Sequence, residues 1–381
     1  MEEVAVKKCR EYDNKLVYNS LQYLLKKLGG INKFISPGDK VLLKINLIMG
    51  SAPEKAVTTH PVVVEEMAKI IKEAGGQVIL GDSPGGRFNS KKLKKVYKNS
   101  GLIKVAKRTG AELNYNTGSR KRIYEKGKIK KSFVIADYIS DVDKIINMPK
   151  LKTHGLTMYT GAVKNLFGAI PGLLKGEYHL RMPQVDLFSE MLLDLALFIK
   201  PCLNIMDGII GMEAEGPSSG DPRKFGYLLG SNSSWALDIV GIYILGIEPP
   251  QRVPLINSLE KRNLSHDINN IKIKGDKLTQ NKNTIIPKIE KKSNLIDKKL
   301  PAPIGKLADF FLRPRPVFSE DKCTGCRHCI ENCPVNALEF KEKIPEVDLD
   351  ECIRCFCCQE LCEYNAVNIK RPFLGRLLFT R

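Results

Sequence analysis

The pattern of apolar and polar positions in the first 250 residues predicts strands and helices in alternation. Apolar runs at residues 41–45 and 77–80 have the length of buried strands, and between them residues 62–73 carry apolar side chains at helical spacing. Gly75 and Gly76 are expected to end that helix. A strand–helix–strand unit of this kind builds a parallel sheet.

Three more segments continue the pattern. Residues 144–147 and 203–206 are predicted to be short strands that run into polar loops, and residues 234–245 are predicted to be an apolar helix. The expected fold class is therefore α/β, a Rossmann-like layered domain with a mostly parallel sheet.

Shifts in composition divide the chain into four parts. The α/β domain is predicted to cover residues 1–268. Lysine, asparagine, serine and proline then dominate residues 269–316, which we interpret as a linker or irregular excursion. A small cysteine-rich domain is predicted at 317–370, and residues 371–381 form a basic, apolar tail. We expect the tail to pack on the protein, with peripheral membrane contact as the alternative.

Nothing in the sequence resembles a membrane span or a signal peptide. The most apolar stretch, residues 186–200, contains Glu190 and Asp194 and is shorter than the roughly 20 apolar residues that a span needs. It is predicted to be a buried core helix. The N-terminus lacks the apolar region of a signal peptide, so a cytoplasmic location is expected.

The cysteines are concentrated near the end of the chain. Nine of the eleven lie within residues 323–362. A secreted disulfide scaffold is smaller and has cysteines along its whole length. Such a block indicates metal binding.

Two cysteine runs share the spacing C-x-x-C-x-x-C-x-x-x-C, which is that of bacterial ferredoxins with two 4Fe–4S clusters. In this pattern the fourth cysteine of each run binds the other cluster. The predicted ligands are Cys323, Cys326, Cys329 and Cys362 for cluster 1, and Cys352, Cys355, Cys358 and Cys333 for cluster 2. Residues 317–370 are therefore expected to form a small α+β domain of the ferredoxin-like type with two 4Fe–4S clusters. Clusters of this type transfer single electrons, so a redox partner protein is expected.

Two residues depart from the repeat. Glu363 stands where the first run has Pro334, and Cys357 is a ninth cysteine without an assigned corner. We interpret Cys357 as a buried bystander, with a spare ligand or a redox-reactive thiol as the alternatives.

The formal net charge of +19 raises the question of a polyanionic partner. The sequence has no zinc-finger, RNA-recognition or aromatic-interleaved basic motif, so no nucleic acid is expected. A general bias toward lysine in the composition is an alternative explanation of the positive charge.

Polar clusters follow the predicted strands, at the sheet edge where open α/β sheets bind ligands. The lysines in these clusters could bind an anionic ligand, and the amide side chains could add hydrogen bonds to it. The histidines could transfer protons or bind a metal, and the carboxylates could bind a cation or act as a base. The candidate catalytic residues are Lys150, Lys152, His154, Lys164 and Asp82. The candidate ligand-binding residues are Lys44, Asn46, His60, Asn165 and Asp207. His179, Glu213 and Glu215 are weaker candidates of the same kinds.

The segments Pro-Lys-Leu-Lys-Thr-His, residues 149–154, and Gly-Ala-Val-Lys-Asn-Leu-Phe-Gly, residues 161–168, resemble the family called domain of unknown function 362. The resemblance covers roughly residues 35 to 250, and the family is often joined to a ferredoxin module. Its usual Lys-Pro-Asn appears here as Lys44-Ile45-Asn46. The resemblance implies an architecture and no established chemistry.

Three functions are consistent with these features. The leading hypothesis is an iron–sulfur oxidoreductase in which the clusters serve a reaction of an anionic small molecule, or of a further cofactor, in the α/β domain. The second is a non-enzymatic electron carrier whose large domain docks a redox partner. The third is an iron–sulfur-dependent nucleic-acid-binding or regulatory protein.

Overall fold

The computed structural model describes residues 1–287 and 313–372. Residues 1–287, the α/β domain, are built around a mixed sheet whose ten described strands are mostly parallel. The strands are β1 Glu2–Lys8, β2 Lys40–Ile45, β3 Gln77–Gly81, β4 Glu112–Leu113, β7 Lys144–Met148, β8 Lys150–His154, β9 Met158–Thr160, β10 Leu203–Glu213, β11 Asp221–Ser231 and β12 Ile271–Gly275. A separate antiparallel hairpin consists of β5 Ser119–Ile123 and β6 Ser132–Ala136.

The spatial order of the main sheet is β12-β1-β11-β10-β7-β2-β3-β4, with β8 paired to β10 and β9 paired to β8. Strands β10, β7, β2, β3 and β4 are parallel to one another. Their carboxyl ends therefore lie at one edge of the sheet, and the predicted α/β class with a mostly parallel sheet is confirmed.

Helices cover both faces of the sheet. They are α1 Asn14–Leu28, α2 Pro61–Glu73, α3 Ser90–Asn99, α4 Leu102–Thr109, α5 Asp137–Ser140, α6 Ala162–Asn165, α7 Leu174–Arg181, α8 Val185–Ile199, α9 Ser234–Leu245 and α10 Pro254–Glu260. Side chains alternate across a strand, so Val41 and Leu43 of β2 join one hydrophobic core while Leu42 joins the other. Burial on both faces explains why the strands are continuous apolar runs.

Helix boundaries follow from local chemistry. Asp13 caps α1 by accepting a hydrogen bond from the amide of Leu16 at 2.8 Å. Helix α2 begins at Pro61, a residue suited to the first helical position. After it, Gly75 has φ +83°, a left-handed conformation that lets the chain leave the helix and enter β3.

The segment predicted as a linker from residue 269 onward begins differently. Residues Ile271–Gly275 form β12, which pairs in parallel with β1 along the edge of the main sheet. Its lysine-rich sequence is compatible with an edge position, where charged side chains face solvent. Further along, Ile285 is tied to the domain through the hydrogen bond between its amide and Glu213 Oε2 at 2.8 Å. Residues 288–312 of that segment lie outside the described residues, as does the predicted tail beyond residue 372.

Residues 313–372, the cysteine module, contain two antiparallel strand pairs and two short helices. The pairs are β13 Arg315–Phe318 with β16 Val367–Lys370, and β14 Leu338–Lys341 with β15 Ile344–Val347. The helices are α11 His328–Glu331 and α12 Cys357–Glu360. Each helix carries the third cysteine of one run, so the sequence repeat is also a structural repeat.

Across the parts of the chain that are described, no helix combines the length and the apolar character needed to cross a membrane. The stretch at residues 186–200 is the core helix α8, in which Asp194 is fully buried. Asp194 accepts hydrogen bonds from the amides of Ile129 and Lys130 at 2.8 and 2.9 Å and pairs with Arg262 at 2.6 Å. The charge that interrupts the apolar stretch is thus compensated within the fold.

Candidate functional site

The predicted site residues meet at the carboxyl edge of the sheet, and the first pair is Lys44 with Asp82. Lys44 ends β2, Asp82 follows β3, and the parallel register places these positions side by side. The Lys44 ammonium lies 2.8 Å from Asp82 Oδ1 and donates to Asn165 Oδ1 at 3.3 Å. Gly168 is required here, because a β-carbon at that position would overlap both Asp82 Oδ1 and Lys44 Nζ.

A second buried pair joins Lys150 to Asp207. The Lys150 ammonium lies 2.8 Å from Asp207 Oδ2 and also donates to the hydroxyl of Tyr12 at 2.8 Å. The backbone amide of His60 donates to the same carboxylate at 3.0 Å. The charge of Lys150 is therefore already balanced inside the protein.

His60 has a local structural role. It is the N-cap of α2, and its Nδ1 accepts a hydrogen bond from the amide of Val62 at 3.3 Å. Its ring stacks on Tyr12 with a centroid distance of 3.5 Å. Burial lowers the pKa of His60 to about 4, so the ring is neutral near pH 7.

Lys152 is fully buried and is held by oxygens that carry no formal charge. Its ammonium donates to Asn46 Oδ1 at 2.7 Å, to the carbonyl of Val57 at 2.8 Å and to the carbonyl of Pro217 at 3.2 Å. Burial, followed by repulsion from Lys150 and Lys164, holds the pKa of Lys152 well below its usual value. Asn46 in turn donates to Asn165.

These residues form a buried polar network that is satisfied from within. The structure brings them together, as expected, but not as an open cluster of cations. The candidates Glu213 and Glu215 are also paired, with Arg223 at 2.7 Å and with Arg371 respectively. In each of these cases a group on another segment of the chain neutralises the charge or satisfies its hydrogen bonds.

His154 connects the α/β domain to the cysteine module. Its Nδ1 accepts a hydrogen bond from the amide of Leu156 at 3.0 Å, which leaves the proton of the neutral ring on Nε2. That Nε2 lies 3.2 Å from Oε1 of Glu360 in α12. Burial and then the charge of Lys164 lower the pKa of His154 to about 4.

Beside this contact, a cavity of about 70 Å³ lies between the α/β domain and the cysteine module. We call it the interdomain cavity. Lys164, Lys175 and His179 line it from the α/β domain, and Asn332, Cys357 and Glu360 line it from the module. Of the catalytic candidates, Lys164 lines the cavity itself and His154 adjoins it through Glu360.

The cavity is basic. Within the part of the chain that the structure describes, no side chain forms a hydrogen bond or ion pair with the ammonium of Lys164, which follows the Gly161 turn in the short helix α6. Lys175 donates to the carbonyl of Ser83 at 2.8 Å, and burial lowers its pKa to about 7. Although burial alone would raise it, the nearby charge of Lys164 and then the contact with His154 hold the pKa of Glu360 below its ordinary value.

His179 is 5% exposed and faces this cavity from α7. Its ring stacks on Phe188 at 4.3 Å and meets the edge of Phe167 at 5.9 Å. Burial lowers its pKa to about 4, so it is a neutral imidazole near pH 7. Sequence reasoning missed Lys175 and Glu360 as site residues, because neither belongs to a polar cluster at the end of a predicted strand.

The module is attached through specific contacts around the cavity. Ser218 Oγ donates to the carbonyl of Glu360 at 2.9 Å, and Gln359 Nε2 donates to the carbonyl of Glu215 at 3.0 Å. Arg371 binds the Glu215 carboxylate with two nitrogens. These contacts hold α12 against the carboxyl edge of the sheet.

The two cysteine runs adopt equivalent backbone conformations. The amide of Ala337 donates to Cys333 Sγ at 3.3 Å, and the amide of Ala366 donates to Cys362 Sγ at 3.2 Å. Backbone donors aimed at sulfur stabilise a thiolate, the form that binds iron.

The four cysteines assigned to cluster 1 line a single cavity, into which Cys362 reaches from the second run. Burial, and then the neighbouring Cys326 and Cys362, raise the pKa of the Cys329 thiol to about 11. Crowded thiols of this kind lose their protons when metal binds. The arrangement fits a cluster with crossed ligation.

The second set is also close in space. Burial and then the neighbouring Cys355 and Cys333 raise the pKa of Cys352, which places Cys333 of the first run beside the second run. Within residues 1–287 and 313–372, no three side chains of the metal-binding types are spaced to hold a single metal ion. Cubane corners lie farther apart than the ligands of one ion, so this spacing is compatible with a cluster.

An α/β domain joined at its carboxyl edge to a repeated cysteine module defines an iron–sulfur protein of the 4Fe–4S dicluster class. The chain belongs to the family described as Domain of unknown function (DUF362), whose model matches residues 41–243. A second model, the 4Fe-4S dicluster domain, matches residues 315–363. The resemblance found in the sequence is thus confirmed for both parts.

One similar protein is the thylakoid-associated protein sll1697 of Synechocystis. It is 35% identical over 267 residues, which cover 70% of this chain and 81% of the relative. Among solved structures, the lactate racemase apoprotein of Thermoanaerobacterium thermosaccharolyticum matches 65% of this chain and 57% of its own, at 10% identity and a TM-score of 0.42. A structural-genomics target from Thermotoga maritima matches 60% and 57%, at 13% identity and a TM-score of 0.35.

Proposed function

We propose that this iron–sulfur protein binds two 4Fe–4S clusters and exchanges electrons with a small anionic molecule held in the interdomain cavity. The clusters supply one-electron transfer. The chain's own residues bind the anion, exclude bulk water and keep the reacting group next to the module. The protein would then be an iron–sulfur oxidoreductase.

The position of α12 carries this proposal. Cys358, a proposed ligand of cluster 2, lies in the same short helix as Cys357 and Glu360, which line the cavity. A molecule in the cavity would therefore be separated from the cluster 2 ligands by less than one helical turn of protein. Ferredoxin modules that serve only as carriers have no need of a basic cavity at this point.

The charges of the cavity favour an anion. Lys164 has no partner among the described side chains, and burial lowers the pKa of Lys175 to about 7, so that a bound anion would favour its protonated form. Glu360 balances one positive charge, and His154 Nε2 lies 3.2 Å from that carboxylate. A carboxylate or oxyanion would complete the set of charges.

The size of the cavity limits the substrate. One water molecule needs about 10–15 Å³ of such volume, so a cavity of about 70 Å³ has room for an anion of roughly five heavy atoms. His179, neutral and facing the cavity, suits a hydrogen bond to that anion or a proton transfer.

Anaerobic purification followed by mass spectrometry of the released small molecules tests the proposal. In parallel, the electron paramagnetic resonance spectrum of the reduced protein is recorded with acetate, bicarbonate and inorganic phosphate. We expect one of these anions to shift the spectrum, and Lys164→Ala to abolish the shift. Lys107→Ala, a change at an exposed lysine of α4, is the matched control.

The proposal fails if no anion co-purifies and none perturbs the spectrum. It fails equally if Lys164→Ala binds as the unaltered protein does. In either case, the protein would be a carrier in which the large domain docks a partner.

A further inference from the structure

The segment between Asp82 and Glu112 has an unusual charge pattern. Its 29 residues, 83–111, contain nine lysines and arginines and no aspartate or glutamate. The excess cannot come from composition alone, because acidic residues are frequent on both sides of it. The segment includes α3 and α4.

Helix α3 displays most of this charge on one face. Lys91, Lys94, Lys95 and Lys98 are exposed and follow the i, i+3, i+4, i+7 spacing of a helical stripe. The opposite face is buried through Leu93, Val96 and Tyr97. We call the four exposed lysines the basic ridge.

The basic ridge lies beside the proposed cluster 1. Lys95 forms an ion pair of 3.0 Å with Glu363, the residue that follows the ligand Cys362. Cys326, another proposed ligand of cluster 1, is the exposed cysteine of the module. The ridge therefore borders the place where cluster 1 approaches the protein surface.

Most of the positive charge of the ridge is not neutralised, because Lys91, Lys94 and Lys98 form no ion pair with any described side chain. Of the nearby acids, Glu363 is paired with Lys95, and Glu331 is paired with Arg87 at 3.8 Å. Three like charges on one helix face repel one another, and this repulsion destabilises the isolated protein. Binding of an acidic partner would reduce the repulsion.

We infer that the basic ridge is the docking surface for an acidic one-electron carrier protein, which exchanges electrons with cluster 1 near Cys326. This inference rests on the proposed electron-transfer function and adds the partner's chemistry and the surface that binds it. Cys358, a proposed ligand of cluster 2, lies in the helix that borders the interdomain cavity, so the two ends of the module would serve two different reactants. Electrostatic steering suits such short-lived redox encounters.

A polyanion such as DNA or an acidic lipid surface would also be attracted to lysines. The carrier is favoured because the ridge adjoins the exposed ligand of a redox centre, a position that neither polyanion would require. The stripe is also only one helix long, which suits the small interfaces of electron-transfer pairs.

The test uses the full chain with its clusters and an acidic flavodoxin as the probe. Lys91→Glu, Lys94→Glu and Lys98→Glu are combined in one variant, which leaves the Lys95–Glu363 pair intact. The control combines Lys15→Glu, Lys26→Glu and Lys27→Glu on α1, a helix that packs on β1 and α2. Affinity is measured by calorimetry at two salt concentrations, and iron content and circular dichroism verify folding.

We expect the α3 variant to bind flavodoxin about tenfold or more weakly and with a smaller salt dependence, while the α1 variant keeps its affinity. Lys164→Ala should leave flavodoxin binding unchanged. Failure of the proposed anion site and failure of the proposed docking surface therefore give different results. Equal losses in the α3 and α1 variants would overturn the inference. So would retention of the unaltered protein on DNA or phosphatidylserine vesicles through the ridge, without flavodoxin binding.

Discussion

Leu361 of the cysteine module lies so close to Gly85 of the α/β domain that a β-carbon on residue 85 would overlap its Cδ2. The contact sits at the rim of the interdomain cavity, which both residues line. A side chain at residue 85 would therefore force Leu361 to shift.

Gly85→Ala is expected to loosen the module while leaving both parts folded. Leu361 would have to move, which disturbs α12 and its contacts with Ser218 and Glu215. Hydrogen exchange measured by mass spectrometry should rise in α12 and in the loop after β3. The double variant Gly85→Ala with Leu361→Ala should regain protection, because it removes the overlapping atoms. Faster exchange in the double variant than in Gly85→Ala would show that the contact does not control docking.

The Lys44–Asp82 pair should be strongly coupled. Removing one partner leaves an uncompensated buried charge, so Lys44→Met and Asp82→Asn are each expected to lower the free energy of unfolding by about 3–5 kcal/mol. The double variant should be less destabilised than the sum of the two. Urea unfolding of the four proteins measures the coupling. Simple additivity would show that the pair is not an interacting unit.

His60 should contribute to acid sensitivity. Its pKa is about 4 in the folded protein, below the ordinary value, so the unfolded chain binds a proton at higher pH than the folded chain does. Its stabilising effect is complete above about pH 6.5 and is lost as the pH falls toward 4. His60→Asn retains an N-cap residue and removes this titration. The fall in Tm between pH 7.5 and 5.5 should therefore be smaller in this variant; an unchanged fall would assign the sensitivity to other groups.

The iron content of cysteine variants should distinguish the cluster ligands from the bystander Cys357. The unaltered protein is expected to hold about eight irons after anaerobic reconstitution. Cys358→Ser should lose about half of them, whereas Cys357→Ser should keep them all. If Cys357→Ser also loses iron, the ligand assignment of the second run is wrong.

The sequence was most informative where one physical cause dominates. Strand β2 and helices α2 and α9 were predicted because continuous apolar runs and helical spacing leave few alternatives. Strand β12 was not predicted, because its order comes from pairing with β1, more than 260 residues earlier, while its own sequence is rich in lysine. Pairing partners of that kind leave no local signal.

The candidate site shows the same limit. Lys44 and Lys150 lie at the carboxyl edge, where their partners Asp82 and Asp207 make them members of buried ion pairs. Only the fold shows that Lys164 remains unpaired among the described residues and that α12 brings Cys357 to it. A spacing motif shows which residues are near one another along the chain. The residues that line the cavity are far apart along the chain, so no motif indicates them.

The pairing of β1 with β12 has a consequence for the order in which the protein is made. Strand β1 lacks its outer neighbour β12 until residue 275 has been synthesised. The cysteine module follows only after that point, so it emerges onto a sheet that can already be complete. The carboxyl edge that receives the module can therefore form before the cluster ligands have been synthesised.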